Sequence, residues 1–510
     1  MELAIAMFLG LLSGLLLRVA GPEWPLAPLA VLGIATWAAA VRGQRSHWNA
    51  MACTVIFVLL GIASRLNWLF PMDHGDSVPG VYRLGWIILS ALFVTTLALL
   101  SISMRGLARR DWPMVVVVPL TWMVWEAAVG WVLGRMMNLL LDPIRLATTQ
   151  VTFPFCQLAD LGGLTLVAGS VAAASGLLLD VIDEQAGRAS RTLLTRLGAV
   201  TLLCLLTYGA IRSNWHHAEG QLNVELRTEQ FPPLEADKSG HFSLDQRVEL
   251  LIWPEGSITG TLGIEEEIDL RLVEIAKACD RPILAGATRF DLESPGLFNS
   301  AILVRPDSDI VQSADKRFLA PVTECLPPLS IWFELPEPLL PTQRARSIRL
   351  LRLSDGTSIG SGVCFDLCFP DWARDVMEQK PDVLVQIASE QFSPSASVKH
   401  QMLALARLRA IESRRTLVRC VRHGYSAVID ANGDIVDQVK DWRSTEPLIV
   451  QVPIMRGASL YHKIGETIPW TLVVLGCALA EWESRWAKRK VKAHTTNSRP
   501  FEQGTLQVIS

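Results

Sequence analysis

Apolar residues are arranged differently before and after residue 212 of this chain. Up to that point they form long runs, broken only by short clusters of Gly, Pro, Arg or Asp. A helix needs about 20 apolar residues to cross a hydrocarbon core of roughly 30 Å, and a helix that is apolar on every face is rarely exposed to water. About seven runs therefore predict membrane-spanning helices, and a further run lies near the C-terminus. The runs are Leu3–Val19, Leu26–Val41, Met51–Leu69, Leu84–Ile102, Pro113–Leu133, Phe155–Asp180, Leu193–Ile211 and Thr467–Trp486.

The stretch from 213 to 465 is polar by comparison. At about 250 residues it is long enough for one large domain with its own core. Short apolar runs alternate there with helix-like segments, which is typical of an α/β protein. Several of these runs lack hydrophobic alternation, so we expect sheets that are covered on both faces. The strand-like runs are Leu222–Leu226, Leu250–Trp253, Ile283–Gly286, Ala301–Val304, Thr357–Cys364, Val383–Ile387, Leu417–Val421 and Ser426–Ile429, and the helix-like segments are Glu265–Ala278, Asp371–Glu378 and Ser397–Ser413.

Basic residues in the loops predict how the spans are oriented. They concentrate in alternate loops, at Arg42, Arg45, Arg105, Arg109, Arg110, Arg188, Arg191 and Arg196, and again after the last run, at Lys488, Arg489, Lys490 and Lys492. The positive-inside rule then places both termini in the cytoplasm. The predicted organisation is a transmembrane domain over 1–212, an extracytoplasmic domain over 213–465, a final transmembrane helix over 466–487 and a disordered cytoplasmic tail over 488–510. The first run has no small-residue cleavage site and is interpreted as a retained span rather than a signal peptide.

The composition and short motifs of the chain mainly exclude classes of function. The chain of 510 residues is 50% apolar with a formal net charge of −3, and its mean hydropathy is +0.30. It lacks the basic footprint of a nucleic-acid-binding protein. Gly260–Gly263 is not followed by the Lys-Ser/Thr of a phosphate loop, and no histidine stands at ligand spacing around Cys364 and Cys368. We therefore predict no cofactor and no metal.

Three short polar phrases in the second half carry the candidate chemistry. They are LLIWPEGS with Glu255, QSADKRFLAPVTE with Lys316, and SIGSGVCFDLCFPD with Cys364. Proline at 254 stops an apolar strand and presents Glu255 at its carboxyl end, where open α/β sheets often hold functional groups. Cys364 ends another apolar run, where a sharp turn would lift the thiol out of the sheet. Taken singly, Glu255 is more simply interpreted as an acid in a loop, Lys316 as a solvated lysine and Cys364 as a buried structural cysteine. Together, a base, a cation and a thiol form a complete acyl-transfer set.

The order and spacing of these phrases resemble the nitrilase superfamily, whose members carry a Glu–Lys–Cys triad on an α-β-β-α sandwich. The resemblance is to its membrane-embedded branch, the apolipoprotein N-acyltransferases, and it covers nearly the whole chain. The matching segments are Trp253–Glu255, Phe298–Ser300, Asp315–Leu319 with Pro321 and Glu324, Gly362–Pro370, Leu460–Glu466, and in the apolar half Trp24–Ala27, Trp125–Glu126 and Gln157–Gly163.

The resemblance implies a ping-pong reaction at a bacterial inner membrane. The Cys364 thiolate, with Glu255 as base and Lys316 stabilising the oxyanion, would take an acyl chain from a phospholipid. The N-terminal amine of a lipid-modified apolipoprotein cysteine would then accept it. Glu324 would orient Lys316 or the acceptor amine, and Trp253, Phe365, Asp366 and Phe392 are predicted as supporting or substrate-binding residues. The protein is expected to act as a monomer.

Several departures from the family pattern leave the acceptor open. Phe365–Asp366 stand where the family has Tyr-Glu, Val322–Glu324 replace Phe-Gly-Glu, and Ala388–Phe392 replace Asn-Asp-Ser-Trp-Phe. The stretch between Leu226 and Trp253 also looks too short for the helix expected there. The alternatives are a membrane-tethered carbon–nitrogen hydrolase, a paralogue that acylates another amine, and a non-catalytic lipoprotein-binding paralogue.

Two arginines on the helix-like segment Ser397–Ser413 complete the candidates. Arg407 and Arg409 have the charge to contact phospholipid head groups, but a solvated helix face is the more economical interpretation.

Overall fold

The first 212 residues of the chain form a helical bundle. The computed structural model describes residues 2–24, 26–73, 81–139, 142–185, 193–215, 217–229, 247–292, 295–321, 323–331, 337–338 and 341–497. The helices of the bundle are α1 (Glu2–Val19), α2 (Pro28–Gly43), α3 (His47–Gly61), α4 (Val81–Arg109), α5 (Met114–Met137), α6 (Ala159–Gln185) and α7 (Leu193–Arg212). Short 3-10 segments at Ala63–Asp73, Asp142–Ile144, Leu146–Gln150 and Pro154–Leu158 connect some of them.

Six helical segments among the described residues are long and apolar enough to cross a membrane. They are Glu2–Val19, His47–Leu69, Arg83–Arg109, Met114–Met137, Pro154–Gln185 and Leu193–Arg212. The remaining predicted span of this half, Leu26–Val41, corresponds to α2, which has only 16 residues. At 1.5 Å of rise per residue, α2 is about 24 Å long and shorter than a hydrocarbon core.

Helix α6 begins with a kink that brings a distant segment into the bundle. Gly162 and Gly163 have non-helical backbone angles, and Gly163 has a φ of +65°, which glycine adopts at little cost. A Cβ at Gly163 would lie 2.6 Å from the ring of Tyr461. Tyr461 lies in α11 (Leu460–Ile464). The kink therefore makes room for the chain between the polar domain and its last helix, α12 (Thr467–Asn497).

The polar domain contains two mixed β-sheets. The strands are β1 (Gly220–Leu226), β2 (Leu250–Ile252), β3 (Thr261–Leu262), β4 (Ile283–Asp291), β5 (Gly296–Val304), β6 (Gln312–Asp315), β7 (Leu351–Arg352), β8 (Ser358–Val363), β9 (Val383–Ser389), β10 (Leu417–Arg422), β11 (Ala427–Ile429), β12 (Ile435–Gln438) and β13 (Leu448–Ile454). The first sheet has the order β13-β1-β2-β4-β5-β6, with β3 paired to β4, and the second has the order β12-β11-β10-β9-β8-β7.

The two sheets face each other across one apolar core, and helices cover their outer faces. Residues from both sheets, such as Ile252 and Ile387, share the central core. Helix α8 (Glu266–Cys279) packs on the first sheet through residues that include Leu272. Helices α9 (Pro370–Glu378) and α10 (Ala396–Ser413) cover the second sheet. The result is an α-β-β-α sandwich joined to a multi-pass helical domain, and the predicted fold class is confirmed.

Buried ion pairs join the sandwich to the membrane half through α10. Arg409 is fully buried, and its guanidinium lies 2.5 Å from Asp142 and 2.6 Å from Glu412. Arg414, which follows α10, lies 2.7 Å from Asp160 in α6. Both interpretations of Arg409 from the sequence, head-group contact and solvated face, are therefore wrong. The partner that buries it, Asp142, is 267 positions away in the chain.

The last helix contains the predicted final span, Thr467–Trp486, and extends beyond it, but it is not among the six segments that are long and apolar enough to cross a membrane. Helix α12 runs to Asn497, into the stretch interpreted as a disordered tail. Lys, Arg and Ala fill most of residues 487–493 and are good helix formers, which is enough to continue the helix past its apolar part. Residues 498–510 lie outside the described part of the chain, as do residues 230–246, where a family helix was predicted to be missing.

Candidate active site

Glu255 lies at the carboxyl end of β2, as the Trp-Pro-Glu phrase predicted. Its carboxylate accepts a hydrogen bond from the Asn299 side-chain amide at 2.8 Å and one from the backbone N–H of Ser389 at 3.0 Å. A Cβ on Gly286 of the neighbouring β4 would lie 2.5 Å from the Cα of Glu255. The loop can therefore pass close to the strand only because that residue is glycine.

Lys316 directly follows β6 and points into the same site. Its side chain is only 1% exposed, and its Nζ lies 2.7 Å from Glu324 and 3.6 Å from Glu255. Burial alone lowers the pKa of Lys316, but the neighbouring Cys364, Glu255 and Glu324 outweigh it and raise the pKa above its ordinary value. Lys316 is therefore a buried, permanently charged ammonium beside two carboxylates.

Glu324 is held in place by donors from three directions. It accepts hydrogen bonds from Lys316 Nζ at 2.9 Å, from the Asn299 amide at 2.9 Å and from the backbone N–H of Ala320 at 2.7 Å. Asn299 thus bridges Glu255 and Glu324 with one amide group. Asn299 lies in the matching segment Phe298–Ser300, but no role was predicted for it. The available signal was the polar pair Asn299-Ser300 inside a strand whose other residues are apolar or glycine.

Cys364 lies at the sharp turn after β8. Its φ of +50° is unusual for a residue other than glycine, and it opens a 3-10 turn that runs to Cys368. Burial raises the pKa of the Cys364 thiol well above its ordinary value, Glu255 raises it further, and Lys316 opposes the rise. The thiol is therefore protonated at rest, so that attack on a carbonyl requires a base to take its proton.

Asp366 has a different position from the one a substrate-binding residue would take. Its carboxylate accepts hydrogen bonds from the backbone N–H groups of Val363, Arg317 and Phe318, at 2.9, 3.1 and 2.7 Å. Burial raises the pKa of Asp366 to about 6, although these donors oppose the rise. Asp366 therefore ties the turn at Cys364 to the segment that carries Lys316.

A cavity of about 100 Å³ opens beside the thiol and is bounded by both halves of the protein. Phe365 and Phe392, two of the predicted supporting residues, line it, whereas Trp253 and Asp366 do not. Trp253 is fully buried in the core beneath the first sheet. The full lining is Leu66, Trp68, Leu139, Pro143, Ile144, Cys364, Phe365, Cys368, Ala388, Ser389, Glu390, Phe392, Val398 and Met402.

The triad, the second glutamate and the apolar cavity suit acyl transfer through a thioester. A carboxylate can take a proton, an ammonium can stabilise an oxyanion, and a thiol can form a covalent bond to an acyl carbon. Among the described residues, no group of three or more His, Cys, Asp or Glu side chains is arranged to hold a metal ion.

Comparison with known families divides the chain in the same way as the structure. Residues 13–177 match the model of the apolipoprotein N-acyltransferase N-terminal domain. Residues 221–460 match the model of the carbon–nitrogen hydrolases. The chain belongs to the apolipoprotein N-acyltransferase branch of the nitrilase superfamily.

Several relatives of that name match over nearly their full length. An apolipoprotein N-acyltransferase of Geobacter metallireducens is 25% identical over 92% of this chain and 94% of the relative. One of Azotobacter vinelandii is 25% identical over 93% and 94%, and one of Vibrio cholerae is 22% identical over 91% and 94%. Among solved structures, a carbon–nitrogen hydrolase superfamily protein of Xanthomonas campestris covers 46% of this chain and 91% of its own, at 19% identity and a TM-score of 0.35. A carbon–nitrogen hydrolase from Helicobacter pylori covers 46% and 90%, at 15% identity and a TM-score of 0.35.

Proposed function

We propose that this membrane protein is an N-acyltransferase that moves an acyl chain from a phospholipid to the N-terminal amine of a lipid-modified apolipoprotein cysteine. The relatives named for this activity match both halves of the chain. The observation that carries the proposal is the cavity beside Cys364, because membrane-half residues such as Leu66 and Ile144 form one of its walls. A soluble amide substrate has no need of such a wall, so a carbon–nitrogen hydrolase is not favoured.

The first half-reaction forms a thioester on Cys364. Glu255 takes the thiol proton as the sulfur attacks the ester carbonyl, and the Lys316 ammonium stabilises the resulting oxyanion. When the intermediate collapses, the carbon–oxygen ester bond breaks and the proton passes from Glu255 to the leaving oxygen. The products are an acyl-enzyme and a lysophospholipid.

The second half-reaction uses the same groups in reverse. The acceptor amine, after losing one proton to water, attacks the thioester carbonyl. Glu255 takes a second proton from the nitrogen and returns it to the sulfur as the carbon–sulfur bond breaks. The products are an amide on the apolipoprotein and the free Cys364 thiol. Lys316 stabilises both oxyanions because it stays charged, and Glu324 holds its Nζ in position.

The other predicted residues divide between lining and support. Phe365 and Phe392 contact the acyl chain from the polar domain, since both line the cavity. Asp366 supports the turn at Cys364, and Trp253 supports the strand that presents Glu255. The protein acts as a monomer in the bacterial inner membrane, with the domain 213–465 extracytoplasmic and both termini cytoplasmic.

Intact mass measurement tests the chemistry. The purified full-length protein is incubated with a phospholipid that carries a labelled acyl chain. We expect a hydroxylamine-sensitive adduct of one acyl group on the wild type and none on Cys364→Ala. An unmodified wild type would contradict the covalent mechanism, whereas an adduct on Cys364→Ala would contradict the assignment of the nucleophile.

Reporter fusions test the topology. Fusions after residue 215 should report an extracytoplasmic location and fusions after residue 490 a cytoplasmic one. The opposite pattern would place the thiol on the wrong side of the membrane for a lipoprotein acceptor.

A further inference from the structure

Four helices of the membrane half border another cavity, separate from the one beside Cys364. It has a volume of about 310 Å³ and lies between α5, α6, α7 and α12. Its lining residues are apolar or glycine except for Ser170 and Thr201, and the Ser170 hydroxyl donates to the Leu166 carbonyl of its own helix. None of the residues that line it also lines the catalytic cavity. The cavity therefore suits a hydrocarbon chain and takes no part in the proposed chemistry.

The cavity can be reached from the outer surface of the helical bundle. Four of its lining residues are exposed on that surface, namely Leu197, Thr201, Leu472 and Leu475. Leu475 is the most exposed of the three leucines, at 54%. In a membrane, the surface formed by such helices faces lipid tails. Hydrocarbon from the bilayer can therefore enter between α7 and α12.

The length of the cavity matches one leaflet of a bilayer. Its lining extends along α7 from Leu194 to Leu205 and along α12 from Pro469 to Leu479. At 1.5 Å of rise per residue, these stretches are about 17 and 15 Å long. A hydrocarbon core of roughly 30 Å provides about 15 Å for each leaflet. A lipid tail of one leaflet could therefore lie along the whole cavity.

The cavity lies towards the end of the bundle that is away from the polar domain. A Cβ on Gly198 of α7 would lie 2.7 Å from Val115, and one on Gly476 of α12 would lie 3.5 Å from Val116. Both helices thus approach the first turn of α5. The other end of α5 meets the polar domain, where the amide of Asn138 donates to a backbone carbonyl at 3.3 Å.

Two exposed tryptophans mark the level at which the cavity ends. Trp482 and Trp486 follow Leu479 by about one and two helical turns. Their rings stack with centroids 6.5 Å apart. Exposed tryptophans concentrate at the interface between membrane and water. The head group of a lipid whose tail fills the cavity would therefore lie near these rings.

Basic residues gather at the same level. The Ser484 hydroxyl of α12 donates to the Arg110 carbonyl at 3.4 Å, which places the turn between α4 and α5 beside α12. Arg109 and Arg110 are exposed, as is Arg196 in the first turn of α7. Beyond Trp486, α12 continues through the basic positions Lys488, Arg489, Lys490 and Lys492.

Several acidic side chains at this end already have partners. Asp180 accepts hydrogen bonds from the first two backbone N–H groups of α5, both at 2.9 Å. Asp183 pairs with Arg42 at 2.5 Å, and Glu481 pairs with Arg485 at 2.8 Å. The other acidic positions here are fewer than the basic ones, and they are Asp111, Glu184 and Glu483.

We propose that this cavity binds one tail of an anionic phospholipid of the membrane, with the lipid phosphate near Arg110 and Arg196. The apolar walls and the length of the cavity match a tail, and exposed guanidinium groups match a phosphate. This lipid is neither acyl donor nor acceptor, because the cavity lies towards the end of the bundle opposite the polar domain that carries Cys364. It fills the space between α7 and α12 and so holds the last helix to the bundle.

Native mass spectrometry of the full-length protein in detergent tests the proposal. The protein is titrated with phosphatidylglycerol, which is anionic, or with phosphatidylcholine of the same chains, which is neutral overall. We expect one phosphatidylglycerol to bind at least about tenfold more tightly than phosphatidylcholine, because each nearby Arg or Lys favours an anionic head group about fivefold.

Variants that fill the cavity test its place. Thr201→Trp and Leu475→Trp each introduce a ring from a different wall, and each should weaken phosphatidylglycerol at least about tenfold, because the ring and the tail cannot occupy the same space. Leu203→Trp is the matched control, since Leu203 is exposed on α7 but does not line the cavity. Because the two filling variants lie on different helices, a folding defect in one, seen by circular dichroism, leaves the other as the test.

Variants at the basic end test the head-group contact. Arg110→Gln combined with Arg196→Gln should weaken phosphatidylglycerol about 10- to 30-fold and leave phosphatidylcholine within about twofold. Arg135→Gln, at the exposed opposite end of α5, should change neither.

Three results would overturn the proposal. One is equal affinity of the wild type for the two lipids. Another is binding of phosphatidylglycerol to both filling variants as tight as to Leu203→Trp. The third is a lipid-free dimer of the wild type that is lost in Leu475→Trp, because a second copy of the chain would then occupy the cavity.

Discussion

Asn299 connects the two carboxylates of the site, and replacing it with aspartate is the most informative single change. The Asn299 amide nitrogen donates to Glu255 at 2.8 Å and to Glu324 at 2.9 Å. Asn299→Asp keeps the shape of the side chain but turns this donor into an acceptor. Each lost hydrogen bond to a charged group is worth about 1.5–3 kcal/mol.

The new charge adds repulsion to this loss. Even if the oxygens separate to about 4 Å, each like-charged pair costs about 4 kcal/mol at an effective dielectric constant of about 20. Like charges nearby favour the neutral form of the introduced carboxyl, so that at low pH it is protonated and one donor is restored. At high pH the repulsion displaces Glu255 and draws Lys316 out of position.

The assay is the rate of acyl-enzyme formation, measured by intact mass at a pH of about 5.5 and again at about 8, because acid favours protonation of the introduced carboxyl. We expect Asn299→Asp to lose at least about 100-fold against the wild type at the higher pH, since about 2.7 kcal/mol suffices for that factor. The loss should be several times smaller at the lower pH. Asn299→Ala removes both donors without adding charge, and its deficit should not change with pH. Equal deficits for the two variants at both pH values would refute the reasoning.

Three further predictions concern the support of the site. Between its ordinary pKa of 3.8 and its raised pKa of about 6, Asp366 binds more protons in the folded state than in the unfolded state, so its contribution to the free energy of unfolding falls as pH rises through that window. The apparent Tm of Asp366→Asn should therefore change less with pH than that of the wild type, and an identical slope would contradict this. Arg409→Met leaves Asp142 and Glu412 buried without their partner and should cost about 3–5 kcal/mol, seen as a lower apparent Tm in detergent, with the exposed Arg443→Met as unaffected control. Gly286→Ala places a Cβ 2.5 Å from the Glu255 Cα and should slow acyl-enzyme formation at least about tenfold; a wild-type rate would show that the loop can shift at no cost.

The positions of Glu255 and Cys364 could be predicted from the sequence because local signals mark the ends of their strands. Pro254 ends a strand before Glu255, and glycines precede Cys364 at the end of another strand. A strand that ends in a polar phrase can be recognised from a few consecutive residues of the sequence. The signal for the helices of the membrane half is equally local, since the hydropathy of about 20 consecutive residues determines whether a helix can span a membrane.

Residues whose roles depend on distant partners could not be predicted in this way. Asn299 acts through carboxylates on two other segments, 44 and 25 positions away. The sequence around Arg409 is that of a polar, solvated helix, and only the contact with the distant Asp142 shows that its side chain is buried. Asp366 follows the cysteine closely, which suggested a substrate contact, but its side chain turns back to backbone N–H groups. Adjacency along the chain does not determine which way a side chain faces.

The membrane half contributes to the site through its irregular segments, and this bears on how a lipid reaches Cys364. Leu66 and Trp68 belong to the 3-10 segment Ala63–Asp73, and Pro143 and Ile144 follow the end of α5. Non-helical backbone is tolerated at the depth of the bilayer only where protein or a water-filled cavity satisfies its polar groups. Leu66, Pro143 and Ile144 are buried in the protein, which meets this condition. In the proposed reaction, a phospholipid ester that enters the cavity between these segments and the polar domain meets the thiol, while its tails remain against the apolar helices.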